Sequence, residues 1–209
     1  MRIYLVRHGE TLLNQKHCYY GVMNAVLSER GIEQAKEVGQ ILKGARFDYI
    51  FSSPLVRAYN TAQLILDARQ ESGYGKNAAG ITGPRILTEQ RLCEQNFGIF
   101  EGMSYEEIRE KYPQELAAWN ESFIDYRIPE GENFLDVRKR AESFVNDLPE
   151  GDGTALVVAH KGTLGHMMAT WLHLPVEGYW NFVFEQGAVS VVDIEDGYAI
   201  IRKLNAREI

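Results

Sequence analysis

The sequence predicts an α/β fold built on a largely parallel sheet. Short apolar segments typical of buried strands alternate along the chain with amphipathic segments of helical period. Three of the predicted strands end in similar sequences, in which basic side chains follow the apolar run: LVRHG, IFSSPLVR and VVAHKG. The carboxyl ends of parallel strands gather at one edge of a sheet, where such folds place their binding sites. The pattern therefore predicts an architecture and also the edge at which a site should lie.

The first half of the chain supplies two of these strands and the helix between them. Residues 2–6 (RIYLV) form the first predicted strand, and residues 48–52 (DYIFS) form the second. Between them, the segment SERGIEQAKEVGQILKG has apolar residues at helical spacing, with Ser28 as the N-cap and Gly44 as the stop.

A second helix is predicted directly after the second strand. Ser53 is a suitable N-cap, and Pro54 a suitable first-turn residue, for a helix that runs to about Ala68. Residues 69–84 are polar and rich in glycine, which predicts a surface loop rather than a linker between domains. The remaining predicted elements are, in chain order, a strand near 85–88, a helix from the capping box of Ser104 and Glu107 to a point before Pro113, a short helix to about Glu121, an amphipathic helix over 133–148, a strand over 154–159, a helix over 162–172, and a hairpin over 187–204 with Asp196 and Gly197 at its turn.

Composition limits the partners that the protein can take. The length of 209 residues suggests a single domain, and 45% hydrophobic residues are enough for a large core. The formal charge of −7 argues against nucleic acid or an anionic membrane as the main partner. A small phosphorylated metabolite remains compatible with this charge, because an acidic protein can carry a local basic pocket.

Cysteine usage and hydropathy predict where the protein works. Cys18 and Cys93 are far apart, and two thiols cannot form a dense disulfide framework, so a reducing cytoplasm is the simpler expectation. No apolar run approaches the roughly 20 residues that a membrane helix requires. We expect a cytoplasmic protein with no membrane partner, and the sequence leaves open whether it is a monomer or a homodimer.

The side chains at the predicted strand ends are suited to phosphate. Arg7, His8, Arg57 and His160 each follow a predicted strand by no more than about one helical turn. Side chains with this much positive charge would repel one another unless an anion occupied the site. The planar fork of arginine fits phosphate oxygens, and a helix start after Ser53 would add backbone N–H donors. The sequence therefore predicts a phosphate site.

The two histidines point to chemistry rather than to binding alone. An imidazole held neutral among arginines, with one nitrogen fixed by a hydrogen bond, is a nucleophile toward phosphorus. The arginines and the second imidazole would stabilise the charge on the transferring phosphoryl group. A carboxylic acid near the pocket would still be needed to protonate the leaving oxygen.

Four motifs in order resemble the histidine phosphatase (phosphoglycerate mutase-like) superfamily: RHGET followed by Asn14, then SSPLVRAYNTA, LCEQNFGIFEGM and VVAHKG. The resemblance implies a three-layer sandwich, with helices on both faces of a mostly parallel central sheet. It also implies one domain over residues 1–209, a substrate-cap insertion around 95–130, and chemistry that needs no metal or cofactor.

The resemblance assigns roles to particular positions. His8 would be phosphorylated in a covalent intermediate, and Glu94 would be the proton donor. Lys161, next to His160, is a further candidate for a phosphate contact. The other positions carried over are Arg7, Arg57 and His160 as phosphoryl ligands, Asn14 as an additional donor, and Tyr20 and Gly21 as a place where the backbone touches substrate.

Several of these assignments have alternatives. The nearby carboxylates Glu89, Glu101, Glu106 and Glu107 could replace Glu94 as the acid. Histidines outside the motifs are expected to be packing or surface residues: His17, His166 and His173. The aromatic residues that could stack on a substrate base, but are more often core, are Tyr19, Tyr20, Trp119, Tyr126, Trp180 and Phe182.

Within the superfamily, the sequence resembles the α-ribazole phosphatases of cobalamin biosynthesis in LSERGIEQA, YRIPEGENF and FEQGAVSVVDI. These enzymes remove the 5′-phosphate of α-ribazole 5′-phosphate. The segments CYYGVM and CEQNFG differ from their counterparts in glycolytic mutases, which argues against a mutase. The alternatives are a broad-specificity sugar or nucleotide phosphatase, including one for fructose 2,6-bisphosphate, and a non-catalytic binder of phosphorylated ligands. Neither cysteine is followed by arginine at the spacing that cysteine-dependent phosphatases need.

Overall fold

The computed structural model describes residues 1–71 and 84–209, without the side chains of residues 70 and 71. In this part of the chain, six strands form one sheet in the order β3-β2-β4-β1-β5-β6. The contacts between β3, β2, β4 and β1 are parallel, whereas β5 and β6 run antiparallel, so the predicted mostly parallel sheet is confirmed. The strands are β1 (Arg2–Arg7), β2 (Tyr49–Ser52), β3 (Ile86–Thr88), β4 (Thr154–Ala159), β5 (Val189–Glu195) and β6 (Tyr198–Ala206).

Helices cover both faces of this sheet, as the predicted three-layer sandwich requires. In β1, Ile3 and Leu5 pack into the apolar cluster on one face, and Tyr4 and Val6 into the cluster on the other. This alternation follows from the period of two in a strand, and it makes β1 a buried central strand. The helices are α1 (Leu12–Gln15), α2 (Glu29–Ile41), α3 (Val56–Glu71), α4 (Tyr105–Lys111), α5 (Pro113–Glu121), α6 (Phe134–Asn146) and α7 (Lys161–Trp171).

The second predicted helix has different boundaries from those expected. It begins at Val56 rather than directly after Ser53, so Pro54 lies before the helix and not in its first turn. The hydroxyl of Ser53 instead accepts a hydrogen bond from the Leu55 N–H at 3.3 Å, within the turn that leads into α3. The helix also continues through Arg69, whose Nε donates to the Leu42 carbonyl at 3.0 Å. The remainder of the loop predicted for 69–84, residues 72–83, lies outside the described residues.

A third apolar cluster lies apart from the two that cover the sheet. It contains Phe100, Ile108, Leu116, Trp119 and Ile128, which come from α4, α5 and the segments around them. The predicted capping box is present, since Ser104 and Glu107 each accept the other's backbone N–H at the start of α4. Segment 97–128, which holds this cluster, overlaps the insertion expected around 95–130. Among the described helices, none is both long and apolar enough to cross a membrane.

Candidate active site

The parallel pairing of β1 with β4 brings the two motif histidines together. The register places Arg7 opposite Ala159, so His8 and His160 follow neighbouring strands at the same level. The His8 N–H continues the ladder by donating to the Ala159 carbonyl at 2.9 Å. The two imidazole centroids are 5.1 Å apart, and both side chains are buried. The predicted convergence at one edge of the sheet is therefore present.

His8 is held as a neutral imidazole with a defined free nitrogen. Its Nδ1 lies 2.7 Å from the Gly9 carbonyl, which can only accept, so Nδ1 carries the proton and Nε2 keeps its lone pair. Burial, followed by the charges of Arg57 and Arg7, holds the pKa of His8 well below its usual value. A neutral imidazole with one fixed nitrogen meets the requirement for a nucleophile.

Thr61 supports this arrangement from α3 and was not predicted from the sequence. Its hydroxyl accepts the Gly9 N–H at 3.0 Å and donates to the Arg57 carbonyl at 2.7 Å. The peptide that orients His8 is therefore tied to the first turn of the helix that carries Arg57. Thr61 lies within the motif SSPLVRAYNTA, but its contact with Gly9 is not visible in the sequence, because the two residues are 52 positions apart.

The two arginines keep unpaired donors beside this imidazole. Arg57 is 1% exposed and donates to the carbonyls of Met23 and Gly21, at 2.9 and 2.6 Å. Arg7 donates to the Phe184 carbonyl at 3.1 Å. The Nε of each arginine is buried without a hydrogen-bond partner among the described residues. Because buried donors are nearly always satisfied, these groups point to an anion as the missing partner.

His160 lies deeper than His8 and is anchored by Ser53. Its Nε2 is 2.9 Å from the Ser53 hydroxyl, whereas Nδ1 has no partner in the described part of the chain. Burial, together with Arg57 and other nearby groups, lowers the pKa of His160 well below its usual value. The ring packs against His8, as a ligand of the same phosphoryl group would, although it is not among the described residues that line the cavity.

Of the candidate acids, the structure brings Glu94 to the cavity. Its carboxylate accepts the Gln95 and Gly162 N–H groups, at 3.1 and 3.0 Å. Gly162 follows His160 by two residues at the start of α7, and a methyl group in its place would collide with the carboxylate. Glycine is therefore required there for the close approach of Glu94.

The other carboxylates are occupied elsewhere. Glu101 accepts four backbone N–H groups, from Gly21, Val22, Met23 and Phe97, and so fixes the loop that holds Arg57. Two more have structural partners outside the cavity: Glu89 pairs with Arg91, and Glu107 caps α4. Glu106 is exposed on α4.

The candidate substrate contacts have mixed outcomes. Asn14 lines the cavity, and its Oδ1 accepts from Thr11 and Gln186, which orients the amide nitrogen as the remaining donor. Tyr20 and Lys161 line the cavity too. Gly21 is not among the described lining residues, and its N–H is already bound to Glu101. The structure thus gives Gly21 a contact with Arg57 through its carbonyl, and a direct contact with substrate stays a prediction.

The cavity has a volume of about 320 Å³ and is lined by both basic and aromatic side chains. Lining residues that were not assigned to the site from the sequence include Phe97, Phe134, His166 and Tyr179. Tyr179 packs on Phe134 with ring centroids 4.8 Å apart. Basic side chains together with aromatic ones suit a phosphate ester with a large leaving group. In the described residues, no group of three or more His, Cys, Asp or Glu is placed to hold a metal ion.

Comparison with known proteins agrees with this geometry. Residues 3–207 match the model of the histidine phosphatase superfamily, branch 1. The chain belongs to this superfamily. Members of the superfamily act on phosphomonoesters, and the chain is a phosphatase.

Individual relatives share the full length of this histidine phosphatase. The chain is 34% identical to the adenosylcobalamin/alpha-ribazole phosphatase of Salmonella typhimurium, over 100% of this chain and 98% of the relative. It is 31% identical to phosphoserine phosphatase 1 of Hydrogenobacter thermophilus, over 98% and 92% of the two chains. The crystal structure of the alpha-ribazole phosphatase from Shigella flexneri superposes with a TM-score of 0.89 at 33% identity, covering 100% of this chain and 98% of that one. The phosphoglycerate mutase-like fold that the sequence predicts is therefore confirmed.

Proposed function

We propose that this histidine phosphatase works through a phosphohistidine at His8 and that its substrate is α-ribazole 5′-phosphate. The observation that carries the chemistry is the neutral His8, whose free Nε2 lies in a cavity with two arginines that keep unpaired buried donors. A non-catalytic binder would need the arginines but not a fixed tautomer. A mutase would need a partner for the second acidic group of its substrate, and among the described residues that line the cavity the only arginines are Arg7 and Arg57.

The reaction proceeds in two displacements. Nε2 of His8 attacks phosphorus while the bond from phosphorus to the ester oxygen breaks, and the protonated carboxyl of Glu94 gives its proton to that oxygen. Water then attacks the phosphohistidine, Glu94 takes a proton from it, and the bond to Nε2 breaks. Arg7, Arg57 and His160 bind the phosphoryl oxygens throughout, where preorganised donors stabilise the transition state most strongly.

We also propose that residues 1–209 form one domain in which the insertion around 95–130 is the substrate cap. Tyr19 and Phe97 pack against its apolar cluster and at the same time line the cavity. Their rings are 5.4 Å apart in an edge-to-face arrangement. The cap thus supplies part of the wall against which the leaving group would lie, with Asn14 and Lys161 as further donors at the phosphate end.

Two observations support α-ribazole 5′-phosphate over a small acidic ester such as phosphoserine. The relatives in Salmonella typhimurium and Shigella flexneri are α-ribazole phosphatases and match over the whole chain. In addition, Tyr19, Phe97, Phe134 and Tyr179 line the cavity, and its described cationic lining residues are Arg7, Arg57 and Lys161. Aromatic walls suit a flat heterocycle, and a carboxylate there would lack a partner.

Phosphate release across a panel of esters tests the proposal. The panel contains α-ribazole 5′-phosphate, mononucleotides, phosphoserine, fructose 2,6-bisphosphate and p-nitrophenyl phosphate. We expect kcat/KM for α-ribazole 5′-phosphate to exceed the others by about 100-fold, which corresponds to about 2.7 kcal/mol. Similar rates across the panel would instead identify a broad-specificity phosphatase.

Two variants test the residue roles in the same assay. His8→Ala should abolish turnover of every ester while leaving the fold intact. Glu94→Gln should slow α-ribazole 5′-phosphate far more than p-nitrophenyl phosphate, whose leaving group needs no proton. Glu106→Gln, which changes an exposed carboxylate on α4, is the matched control and should behave as wild type. A near-normal rate for His8→Ala would overturn the mechanism.

A further inference from the structure

His166 is a buried histidine that the mechanism above does not use. It is 1% exposed, and neither ring nitrogen has a hydrogen-bond partner among the described residues. Buried polar atoms are nearly always bonded, and two unpartnered nitrogens in one ring are costly. If His166 served only to fill space, an apolar residue would do so at lower cost. The ring therefore has hydrogen-bonding capacity that the fold leaves unused.

The position of His166 in the cavity wall would bring its unpartnered ring nitrogens near a bound substrate. The residue lines the same cavity as His8 and Glu94. On α7 it follows Gly162, whose N–H holds Glu94, by four residues. Side chains four residues apart share one helix face, about 6 Å apart along the axis. His166 thus lies one helical turn beyond the residue that anchors Glu94, the proposed proton donor to the leaving oxygen.

The rings around His166 fix its orientation without satisfying it. Its centroid is 4.4 Å from Phe134 and 5.0 Å from Tyr179. Gly165, the preceding residue, has no side chain, and a methyl group there would meet the Tyr179 ring. The glycine lets Tyr179 lie close against α7, beside His166. The imidazole is therefore clamped between aromatic rings that offer it no hydrogen bond.

His166 is neutral at physiological pH. Burial, followed by the charges of Arg138 and Arg140, lowers the pKa of His166 to about 3. A neutral imidazole has one N–H donor and one lone-pair acceptor, which match a hydroxyl group because a hydroxyl both donates and accepts. A carboxylate on the leaving group could use only the N–H donor, and the lone pair of the other ring nitrogen would have no hydrogen to accept from it.

We propose that His166 is a specificity residue that binds a hydroxyl group of the leaving alcohol, directly or through one water, and so selects phosphomonoesters of neutral, hydroxyl-bearing alcohols. This inference rests on the proposed phosphatase reaction and adds a residue that recognises the leaving group of the substrate. It predicts that the preference for such esters depends on the imidazole and not on the phosphate ligands.

The test compares α-ribazole 5′-phosphate with its 2′,3′-dideoxy analogue, and uses p-nitrophenyl phosphate as a reference ester. Wild type should prefer the hydroxyl-bearing ester by about 10-fold or more in kcat/KM. His166→Phe, which keeps a flat ring and removes both hydrogen-bonding atoms, should abolish this preference and reduce turnover of p-nitrophenyl phosphate less than turnover of α-ribazole 5′-phosphate. His166→Asn, which retains a donor and an acceptor, should keep part of it. His173→Asn, an exposed position just beyond α7, is the control.

Each outcome decides the inference. An absent preference in wild type, or one that survives in His166→Phe, overturns it. An equal loss on all three esters shows a purely structural role and overturns it as well. If His166→Phe does not fold, His166→Leu replaces it, with folding checked by thermal unfolding. A wild-type enzyme that releases no phosphate even from p-nitrophenyl phosphate overturns the proposed function, and the inference with it.

Discussion

Acid should destabilise this protein through its three buried histidines. Burial holds the pKa values of His8, His160 and His166 below their usual value near 6.5, for His166 at about 3. The unfolded chain can protonate these imidazoles as the pH falls below about 6.5, whereas the folded chain cannot. Protonation therefore favours the unfolded state, and folding stability is lost as the pH falls through that value.

The size of the effect follows from linkage. A histidine that titrates near pH 6.5 when unfolded and stays neutral when folded loses about 1.4 kcal/mol of stability at about pH 5.5. The same histidine loses less than about 0.1 kcal/mol near pH 7.5. His166, whose pKa is lowered to about 3, meets this condition, and His8 and His160, whose pKa values are lowered as well, add to the loss in the same direction.

Urea unfolding near pH 7.5 and pH 5.5, at constant ionic strength and without phosphate, measures this difference. His166→Phe should reduce the loss by about 1.4 kcal/mol, because it removes one of the three groups. His17→Asn, which changes an exposed histidine, is the control and should leave the loss unchanged. A stability independent of pH over this range, or an equal loss in His166→Phe, would refute the assignment of His166 as a buried neutral imidazole.

Two further substitutions test how the site is held. Glu101→Gln removes hydrogen-bond acceptors from the loop that binds Arg57. We therefore expect the free energy of unfolding in urea to fall by about 2 kcal/mol and the KM for p-nitrophenyl phosphate to rise. A loss of kcat alone would instead indicate that Glu101 acts as an acid. Gly162→Ala places a methyl group against Glu94, so kcat should fall more for α-ribazole 5′-phosphate than for p-nitrophenyl phosphate. Gly44→Ala, where a methyl group meets open space, is the matched control. Equal effects of Gly162→Ala and Gly44→Ala on kcat would contradict the proposed role of Glu94.

The edge of the sheet that carries the site could be predicted because its signals are local. A buried strand followed by charged residues can be recognised in the sequence. Parallel pairing then brings the carboxyl ends of β1 and β4 together. The placement of His8 beside His160 follows from that pairing. The start of α3 was predicted less well, because Ser53 bonds within the preceding turn and to His160 rather than capping the helix.

The contacts that the sequence did not reveal depend on distant partners. His166 lies in the run GTLGHMMATWL, which has the composition of a core helix. Its place in the cavity wall depends on Phe134 and Tyr179, which come from other elements. The motif glutamates could not be told apart by spacing, since only the fold shows that the Glu101 carboxylate is occupied by backbone N–H groups. Such long-range pairing leaves no periodic trace in one sequence.

The central claim is that phosphate passes through His8. Rapid mixing of enzyme with α-ribazole 5′-phosphate labelled in its phosphate, followed by quenching in alkali, preserves phosphohistidine for peptide mapping by mass spectrometry. We predict a transient label on the peptide that contains His8, which decays as free phosphate appears and is absent in His8→Ala. Phosphate release that proceeds in a single turnover with no label on His8 would contradict the account.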